Sequence, residues 1–425
     1  QIVRDYATRV RADGGTVEGF ESTITSIKKL TDQELYGRAS LSLFPSGVKA
    51  GKAYSILPTN GNGDLTVVRN TTKTRTNGAG LIETVAANVP SLNYDTIGGA
   101  PSILLEPQRT NVAVFSNDFT NSQWVKFSFN GTSTVQANNV VSPEGILNAH
   151  TITPPQVTPP TEQNNRMLRQ ISAATNQDFT FTIFVKSSVA GVNFKLIHSA
   201  FQSDINVKEV SFVTTTEWAR YAITSNTANS AGLRALISFG NTIQIYGAQI
   251  EFNSTSTSYI PTTSEAVTRN ADLISKIDIY NTGLITNSGG TLFLHLINNV
   301  PLIRDSNARV LYLGDAAANA EGNGFSIINV SGSAARLTFF KVINGSNIVL
   351  YTSVNDNLKI AIKWNGTTAD VFANGSKVVS QTSFTATQLN FLYNTFGGCQ
   401  KSSFKAIGLF PSPLIDSECV TLTTT

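Results

Sequence analysis

The sequence is poor in charged residues, in cysteine and in histidine. Charged residues make up 14% of the 425 positions, the net charge is +3, and there are two cysteines and three histidines. So small an excess of basic residues gives no reason to expect nucleic-acid binding. The few Cys and His residues cannot supply the four ligands of a structural zinc site unless distant segments converge. We therefore expect neither a nucleic-acid-binding protein nor a zinc-stabilised fold.

Long apolar runs are also missing. Although 41% of the chain is hydrophobic, no stretch approaches the roughly 18 consecutive apolar residues of a membrane-spanning helix. No membrane insertion is expected. Ser, Thr, Asn and Gly take the place of charged residues, and such a composition favours β strands over helices that depend on exposed Glu–Lys pairs. The composition thus predicts a mostly β fold.

The first 39 residues contain a predicted helix. Its apolar residues recur at spacings of three and four, which places Phe20, Ile24, Ile27 and Leu30 on one face. This short face is compatible with two uses, packing on a β domain of the same subunit or contact with the same helix in neighbouring subunits. We interpret residues 1–39 as a helical attachment or oligomerisation segment.

Residues 40–100 consist of short β segments separated by turns. The turns at residues 60–64 and 77–80 contain Asn and Gly, which supply the positive φ angles that tight hairpins need. No long strand follows these turns. This part of the chain is predicted to be a small β connector without a core of its own.

Residues 101–272 contain longer strands. Along residues 179–186, apolar side chains alternate with mostly hydroxyl-bearing or charged ones at the two-residue period of a strand. Several such strands follow one another with polar turns and no helix between them, which indicates a two-sheet sandwich or jelly roll. The proline-rich run at residues 153–160 cannot lie inside a sheet and is predicted to be a surface loop.

Residues 273–425 form a second predicted β unit. An apolar run at residues 290–297 opens it, Asn365 and Gly366 mark a hairpin, and a strand at residues 404–410 closes it. The expected fold class is therefore mostly β, with two consecutive β-sandwich domains after a short N-terminal helical and β connector region.

The two cysteines, Cys399 and Cys419, lie near the C-terminus. A disulfide between them and a reduced, buried pair are both compatible with the sequence, because the spacing does not fix the distance between the two Cα atoms. The sequence leaves this choice open.

Several motifs resemble those of bacteriophage tail-fibre and spike proteins. Residues 69–78 are similar to a linker that is common in such virion proteins. The next motifs resemble the beginning and the end of their carbohydrate-binding-module-like jelly roll, at residues 104–111, 115–119, 246–251, 258–262 and 268–272. The C-terminal unit resembles concanavalin A-like, laminin G-like sandwiches through residues 362–366 and 404–410.

The resemblance implies a jelly roll over residues 101–272 and a concanavalin A-like domain over residues 273–425. It also implies a subunit of the virion surface, assembled in the host cytoplasm, that attaches to glycans of the host cell. Such proteins are commonly homo-oligomers, with trimers favoured. The N-terminal segment would then contact other virion proteins.

Motifs for catalysis are missing from the sequence. A glycosidase needs two carboxylates beside the scissile bond, and no Glu-x-Asp-x-x-Glu strand motif is present. No Gly-x-Ser-x-Gly elbow and no Gly-rich phosphate loop occur either. We therefore expect a protein that is not an enzyme. A purely architectural virion subunit is the alternative function, followed by the binding domains of a polysaccharide depolymerase.

Glycan binding would call for an exposed aromatic ring, since sugars stack their apolar faces on such rings. Trp218 and Trp364 adjoin alternating strands and are expected in cores, whereas Trp124 follows a polar turn and is the candidate for glycan binding. Jelly rolls of the type that this chain resembles often carry a structural Ca²⁺. The resemblance suggests Asp118 and Glu251 as ligands, and no other cofactor is expected.

Overall fold

The chain is mostly β and contains several sandwich-type antiparallel sheets, as predicted. The computed structural model describes residues 2–29, 33–128, 131–155, 165–171, 177–200, 206–226, 233–297, 308–316, 322–329, 337–354, 357–385, 388–394 and 401–424. Two compact units are present: unit 1 comprises Gln1–Gln108 and Asn270–Thr425, and unit 2 comprises Arg109–Arg269. Unit 2 is thus an insertion in unit 1.

Unit 1 begins with three helices and nine short strands. They are α1 (Ile2–Ala12), β1 (Thr16–Val17), α2 (Phe20–Lys29), α3 (Gln33–Gly37), β2 (Leu41–Leu43), β3 (Gly47–Lys49), β4 (Lys52–Ala53), β5 (Leu65–Val68), β6 (Lys73–Thr76), β7 (Ile82–Val85), β8 (Leu92–Asn93) and β9 (Ser102–Leu105).

Unit 2 follows with twelve strands. They are β10 (Arg109–Asn111), β11 (Val125–Ser128), β12 (Thr134–Val141), β13 (Leu147–Thr153), β14 (Asn165–Ile171), β15 (Asp178–Lys186), β16 (Asn193–Ala200), β17 (Asn206–Val213), β18 (Ala219–Asn226), β19 (Leu233–Phe239), β20 (Ile243–Glu251) and β21 (Val267–Arg269).

The chain then returns to unit 1. The remaining elements are β22 (Leu273–Ile277), β23 (Gly289–Ile297), β24 (Ala308–Gly314), β25 (Gly324–Asn329), β26 (Leu337–Ile343), β27 (Ser346–Ser353), β28 (Asn357–Asn365), β29 (Thr368–Ala373), β30 (Ser376–Ser383), β31 (Phe391–Tyr393), β32 (Ser402–Phe410) and α4 (Asp416–Thr423).

Two large sheets enclose the main core of unit 1. One has the strand order β1-β3-β4-β5-β22-β31-β24-β25-β26-β27, and the other has the order β30-β29-β28-β23-β32-β9-β8, with β2 also paired to β32. Leu, Ile, Val and Phe side chains from both sheets form one buried cluster between them. Residues 365–368 turn between the paired strands β28 and β29, so the predicted hairpin is confirmed.

The observed units differ from the predicted succession of domains at residues 1–39, 40–100, 101–272 and 273–425. Strands of the predicted connector lie in the sheets of the C-terminal sandwich, since β5 pairs with β22 and β2 pairs with β32. The physical reason is burial. The apolar side chains of the connector, such as Leu65 and Val67, have no partner face in their own segment and are buried against the strands after residue 270.

Unit 2 is a jelly roll. Its two five-stranded sheets have the orders β12-β13-β20-β15-β18 and β11-β14-β19-β16-β17. From β13 to β20, successive strands alternate between the two sheets except for β16 and β17, which are neighbours in one sheet; this is the topology of a jelly roll. A buried cluster that includes Phe179, Phe181, Phe194 and Phe239 fills the space between the sheets.

The helices correct the expectation of a single helix. The predicted helix is α2, and the structure adds the unpredicted α1 and α4. Tyr6 and Val10 of α1 are buried in unit 1, and Phe20 of α2 stacks on Tyr6 with ring centroids 6.2 Å apart. The N-terminal helices therefore pack within the subunit; contact with neighbouring subunits stays a prediction. No helix in the described ranges is long and apolar enough to cross a bilayer.

Candidate functional site

The motifs that resemble phage proteins meet in a buried ion cluster of unit 1. The Asp272 carboxylate binds the Arg69 guanidinium at 2.7 Å and the Lys73 ammonium at 2.7 Å. Lys73 also contacts the Glu106 carboxylate at 3.1 Å, and all four side chains are shielded from solvent. Charges in such a place are retained only when they are paired and hydrogen-bonded. These motif residues therefore connect the two segments of unit 1 that flank unit 2, the one that ends at Gln108 and the one that begins at Asn270.

One face of the jelly roll is the best candidate for ligand binding. In the sheet that contains β16 and β19, every second residue belongs to the buried core, for example Phe194 and Ile237. The alternate residues must therefore point to the other side. We call this side the β16–β19 face; its described residues include Val125, Phe127, Asn193, Lys195, Ile197, Ser199, Glu209, Ser211, Val213, Arg234, Leu236 and Ser238.

The strand register aligns these residues in rows that cross the strands. One row contains Phe127, Ser238, Lys195 and Ser211. The next row contains Val125, Leu236, Ile197 and Glu209, and a third contains Arg234 and Ser199. With a strand spacing of about 4.8 Å, the five strands extend over ~19 Å.

The rows differ in exposure from one edge to the other. Phe127 is 45% exposed at one edge, and Glu209 and Ser211 are exposed at the opposite edge. Lys195 and Arg234 are partly buried between them, above a floor that includes Ile197 and is closed to solvent. The Lys195 ammonium binds the Glu209 carboxylate at 2.8 Å. Ser199, Leu236 and Ser238 are buried as well. The face thus offers an aromatic ring at one edge, charged and hydroxyl groups at the opposite edge, and the partly buried cations Lys195 and Arg234 between them.

The opposite face of the jelly roll is covered by its own chain. Phe184, Tyr246 and Tyr259 form an aromatic cluster there. Burial raises the pKa of Tyr246. Trp218 joins this cluster, its indole N–H donates to the Val141 carbonyl at 2.9 Å, and the Lys186 ammonium lies 5.0 Å from its ring centre. These rings pack on one another and stabilise the fold, and Tyr246 and Tyr259 are closed to solvent, whereas Trp218 is partly buried.

The prediction that Trp124 binds a glycan is not supported. Trp124 is 1% exposed, packs on Phe119 with ring centroids 5.1 Å apart, and donates its indole N–H to the Phe115 carbonyl at 2.9 Å. A ring enclosed in this way cannot stack on a sugar. Trp364 is also buried, against Phe325, as expected. Sequence reasoning overlooked Phe127, which lies three residues after Trp124 on the outward side of β11.

The carboxylates of the two suggested calcium ligands have hydrogen-bond partners close in sequence, and calcium binding stays a prediction. Both carboxylate oxygens of Glu251 accept hydrogen bonds from Thr257, from its N–H at 2.9 Å and from its hydroxyl at 2.7 Å. Asp118 accepts from the hydroxyl of Thr120 at 2.5 Å, within its own turn. Calcium requires six to eight oxygen ligands, whereas nowhere in the described ranges do three or more His, Cys, Asp or Glu residues converge. The hydrogen bonds of both carboxylates stabilise the turns beside them.

Cys419 of α4 is a free, buried thiol, and burial raises its pKa to about 12. This supports the reduced alternative over the suggested disulfide with Cys399, a residue that lies outside the described ranges. Of the predicted proline-rich loop, Thr153, Pro154 and Pro155 are described, and the rest of it also lies outside those ranges.

Comparisons with known proteins give partial similarities only. No family model and no curated protein matches the sequence. A carbohydrate-binding module, CBM4, is 14% identical over 32% of this chain and 91% of its own, with a TM-score of 0.25. Tailspike protein 4 of bacteriophage CBA120 is 14% identical over 33% of this chain and 21% of its own, with a TM-score of 0.26. The C-terminal CBM6 of LamC from Zobellia galactanivorans is 17% identical over 30% and 98%, with a TM-score of 0.21. None of these similarities is close enough to assign a function.

Proposed function

We propose that this chain is a non-catalytic bacteriophage virion surface protein that attaches to host-cell glycans through the β16–β19 face. The observation that carries the glycan part is the combination of Phe127 with Lys195, Glu209, Ser211 and Arg234 on one side of the jelly roll. An aromatic ring can stack on the apolar face of a sugar, and the charged and hydroxyl groups can bind its hydroxyls.

The length of the face favours an extended glycan. Phe127 and Ser211 occupy the two outer strands of a five-stranded sheet, so a ligand that contacts both must extend over ~19 Å. A single sugar cannot do this. A segment of a surface polysaccharide, laid across the strands, can contact the ring and the polar groups at once.

The chemistry of the face supports a non-catalytic role. Its described residues include one carboxylate, Glu209, and that carboxylate is engaged by Lys195. Hydrolysis of a glycosidic bond uses a pair of carboxyl groups, one as acid and one as base or nucleophile. We therefore propose binding without cleavage.

The virion part of the proposal is supported by the resemblance of residues 104–111 and 268–272 to phage proteins. In this proposal the subunit forms a homo-oligomer, with a trimer favoured, on the surface of the particle. Its N-terminal segment contacts other virion proteins, and several copies of a weak glycan site act together through multivalency.

The experiment is a glycan-binding measurement on the purified full-length oligomer. A glycan array identifies a ligand, and titration calorimetry then compares wild type with Phe127→Ala, Lys195→Ala and the control Lys186→Ala, which alters the covered face. Loss of a stacking contact of about 1 kcal/mol weakens binding about fivefold. We expect a decrease in affinity of this size for Phe127→Ala, which removes the stacking ring, and for Lys195→Ala, which removes a group that binds sugar hydroxyls. The control is expected to keep wild-type affinity.

Two results would overturn the proposal. If no glycan binds to the oligomer, the attachment role is wrong and an architectural role replaces it. If reducing ends are released from the bound polysaccharide, the non-catalytic part is wrong. Equal losses in all three variants would place the site away from the β16–β19 face.

A further inference from the structure

β27 forms an open outer edge of unit 1. β27 pairs with β26 on one side, and no described strand pairs with its other side. Its first four residues, 346–349, are all exposed. Open strand edges invite pairing with another chain, and proteins usually protect them with charge or with a bulge.

Most of the other outer strands of comparable length are protected by charge, since β11, β17, β18 and β30 each contain at least one Lys or Arg. β12 and β27 contain none. Around β27 the uncharged stretch extends from residue 342 to residue 354. Both strands have a shift in register, which in β27 lies near Leu350 and leaves residues 346–349 exposed.

Exposed aliphatic side chains accompany this open edge. Ile348 is 43% exposed, Val349 58% and Val354 64%, and on the neighbouring β30 Val378 is 37% exposed. β27 and β30 are outer strands of the two sheets and contact each other. The Lys341 ammonium of β26, the strand paired with β27, donates to the Ser383 carbonyl of β30 at 2.7 Å. We call this surface, residues 346–354 with β30, the β27–β30 flank.

The charge on the β27–β30 flank is balanced. Its one charged residue is Lys377, whose ammonium lies 3.0 Å from the carboxylates of both Asp370 and Asp416. A partner selected by charge would find nothing to recognise on such a surface, whereas two identical neutral surfaces meet without repulsion. Antiparallel pairing also lets one strand serve as its own complement across a two-fold axis.

We propose that the β27–β30 flank is an interface between two copies of this chain, in which β27 of one copy pairs antiparallel with β27 of the second. The pairing satisfies the open backbone groups of both edges and removes Ile348, Val349 and Val378 from water. The sheet that contains β27 in one subunit and the same sheet in the second subunit thereby form one continuous sheet. The interface does not depend on the β16–β19 face, so it can fail or hold independently of glycan binding.

The test is the mass of the full-length chain in solution by light scattering. One chain has a mass of 45.5 kDa, and the proposal predicts an even number of copies, so that two of the trimers favoured above would join into a hexamer. Val349→Lys places two like charges in the interface and is expected to halve the mass. The matched control is Val207→Lys, which changes an equally aliphatic residue, 44% exposed, in the outer strand β17. It is expected to leave the mass unchanged.

Hydrogen exchange provides the second readout. Amides of residues 346–353 should exchange slowly in wild type and at least tenfold faster in Val349→Lys, while amides of β23 and β32 stay protected in both, which shows that the variant is folded. The proposal is overturned if wild type is monomeric at all concentrations, if Val349→Lys keeps the wild-type mass, or if a monomeric wild type uses β27 to bind a different protein.

Discussion

Glu106 and Asp272 are 166 positions apart in the sequence and are joined by two hydrogen bonds. The Asp272 N–H donates to the Glu106 carbonyl at 2.9 Å, and the Glu106 N–H donates to the Asp272 carboxylate at 2.9 Å. Arg69 and Lys73 then neutralise the two side chains. The two segments of unit 1 that flank unit 2 are therefore adjacent in space, and buried ion pairs stabilise their contact.

The first prediction concerns this ion cluster. Asp272→Ala is expected to lower the free energy of unfolding of unit 1 by roughly 3–5 kcal/mol, because it leaves the buried cations Arg69 and Lys73 without their shared carboxylate. The free energy is measured by urea unfolding. The control is Asp95→Ala, since Asp95 pairs with Lys405 at 3.5 Å in the solvent-exposed part of the same unit. An exposed pair contributes about 0–1 kcal/mol, so similar losses in the two variants would contradict a special role of the cluster.

The role of these motifs could not be read from the sequence. The alternation of apolar and polar residues predicted the strands and the sandwich class correctly, because that pattern depends on local geometry alone. It says nothing about which strand pairs with which. The pairing of β5 with β22 joins segments about 200 residues apart, and no local pattern distinguishes such a pair from two successive domains.

The second prediction follows from the inserted arrangement. Replacing Arg109–Arg269 by a short Gly/Ser linker is expected to leave unit 1 folded, because Glu106 and Asp272 already hold the two ends together. Within unit 2, β10 and β21 pair with Arg109 opposite Arg269, so the ends of the insertion are also adjacent. The measurement is one cooperative unfolding transition of the shortened chain with a β-rich circular dichroism spectrum. An unfolded or aggregated product would contradict independent units.

The candidate site was only partly predictable. Among the three Trp residues, Trp124 was the candidate because it follows a polar turn. Phe127 lies on the outward side of β11, and alternation could not have indicated this, because the inward position beside it is occupied by a charged residue, Lys126. Which sheet face carries the exposed ring and charges could not have been predicted either, since the opposite face is covered through contacts such as that of Trp218 with Val141, 77 residues away.

The third prediction separates the two aromatic residues. Trp124→Ala is expected to destabilise unit 2 by roughly 3–5 kcal/mol, because it empties a fully buried site beside Phe119. Phe127→Ala is expected to change stability by less than about 1.5 kcal/mol, since its ring is 45% exposed. Urea unfolding measures both. If folded Trp124→Ala loses glycan binding while Phe127→Ala keeps it, the assignment of the two roles is wrong.

The fourth prediction concerns the pH dependence of the stability of unit 2. His198 is buried, its Nδ1 lies 2.6 Å from the Ser225 hydroxyl, and its ring packs edge-on against Phe179. Burial, together with the charge of Lys208, lowers the pKa of His198 from 6.5 to about 3. Between these two pH values the unfolded chain binds a proton at this residue and the folded chain does not. Stability is therefore complete above about pH 6.5 and falls as the pH is lowered toward 3, by about 1.4 kcal/mol per pH unit.

In the variant His198→Gln, neither the unfolded nor the folded chain binds a proton at this position. It is expected to lower stability at pH 7, where the wild-type imidazole is neutral and well packed, and to reduce the slope between pH 6 and pH 4 by about one proton. His295, whose pKa burial lowers to about 4, provides the matched control in unit 1, because His295→Gln should affect the unfolding of that unit instead. The free energy of unfolding is measured by urea titration at half-unit pH steps. An unchanged slope in His198→Gln would mean that the folded jelly roll accepts a proton at this buried ring, which its apolar surroundings should prevent.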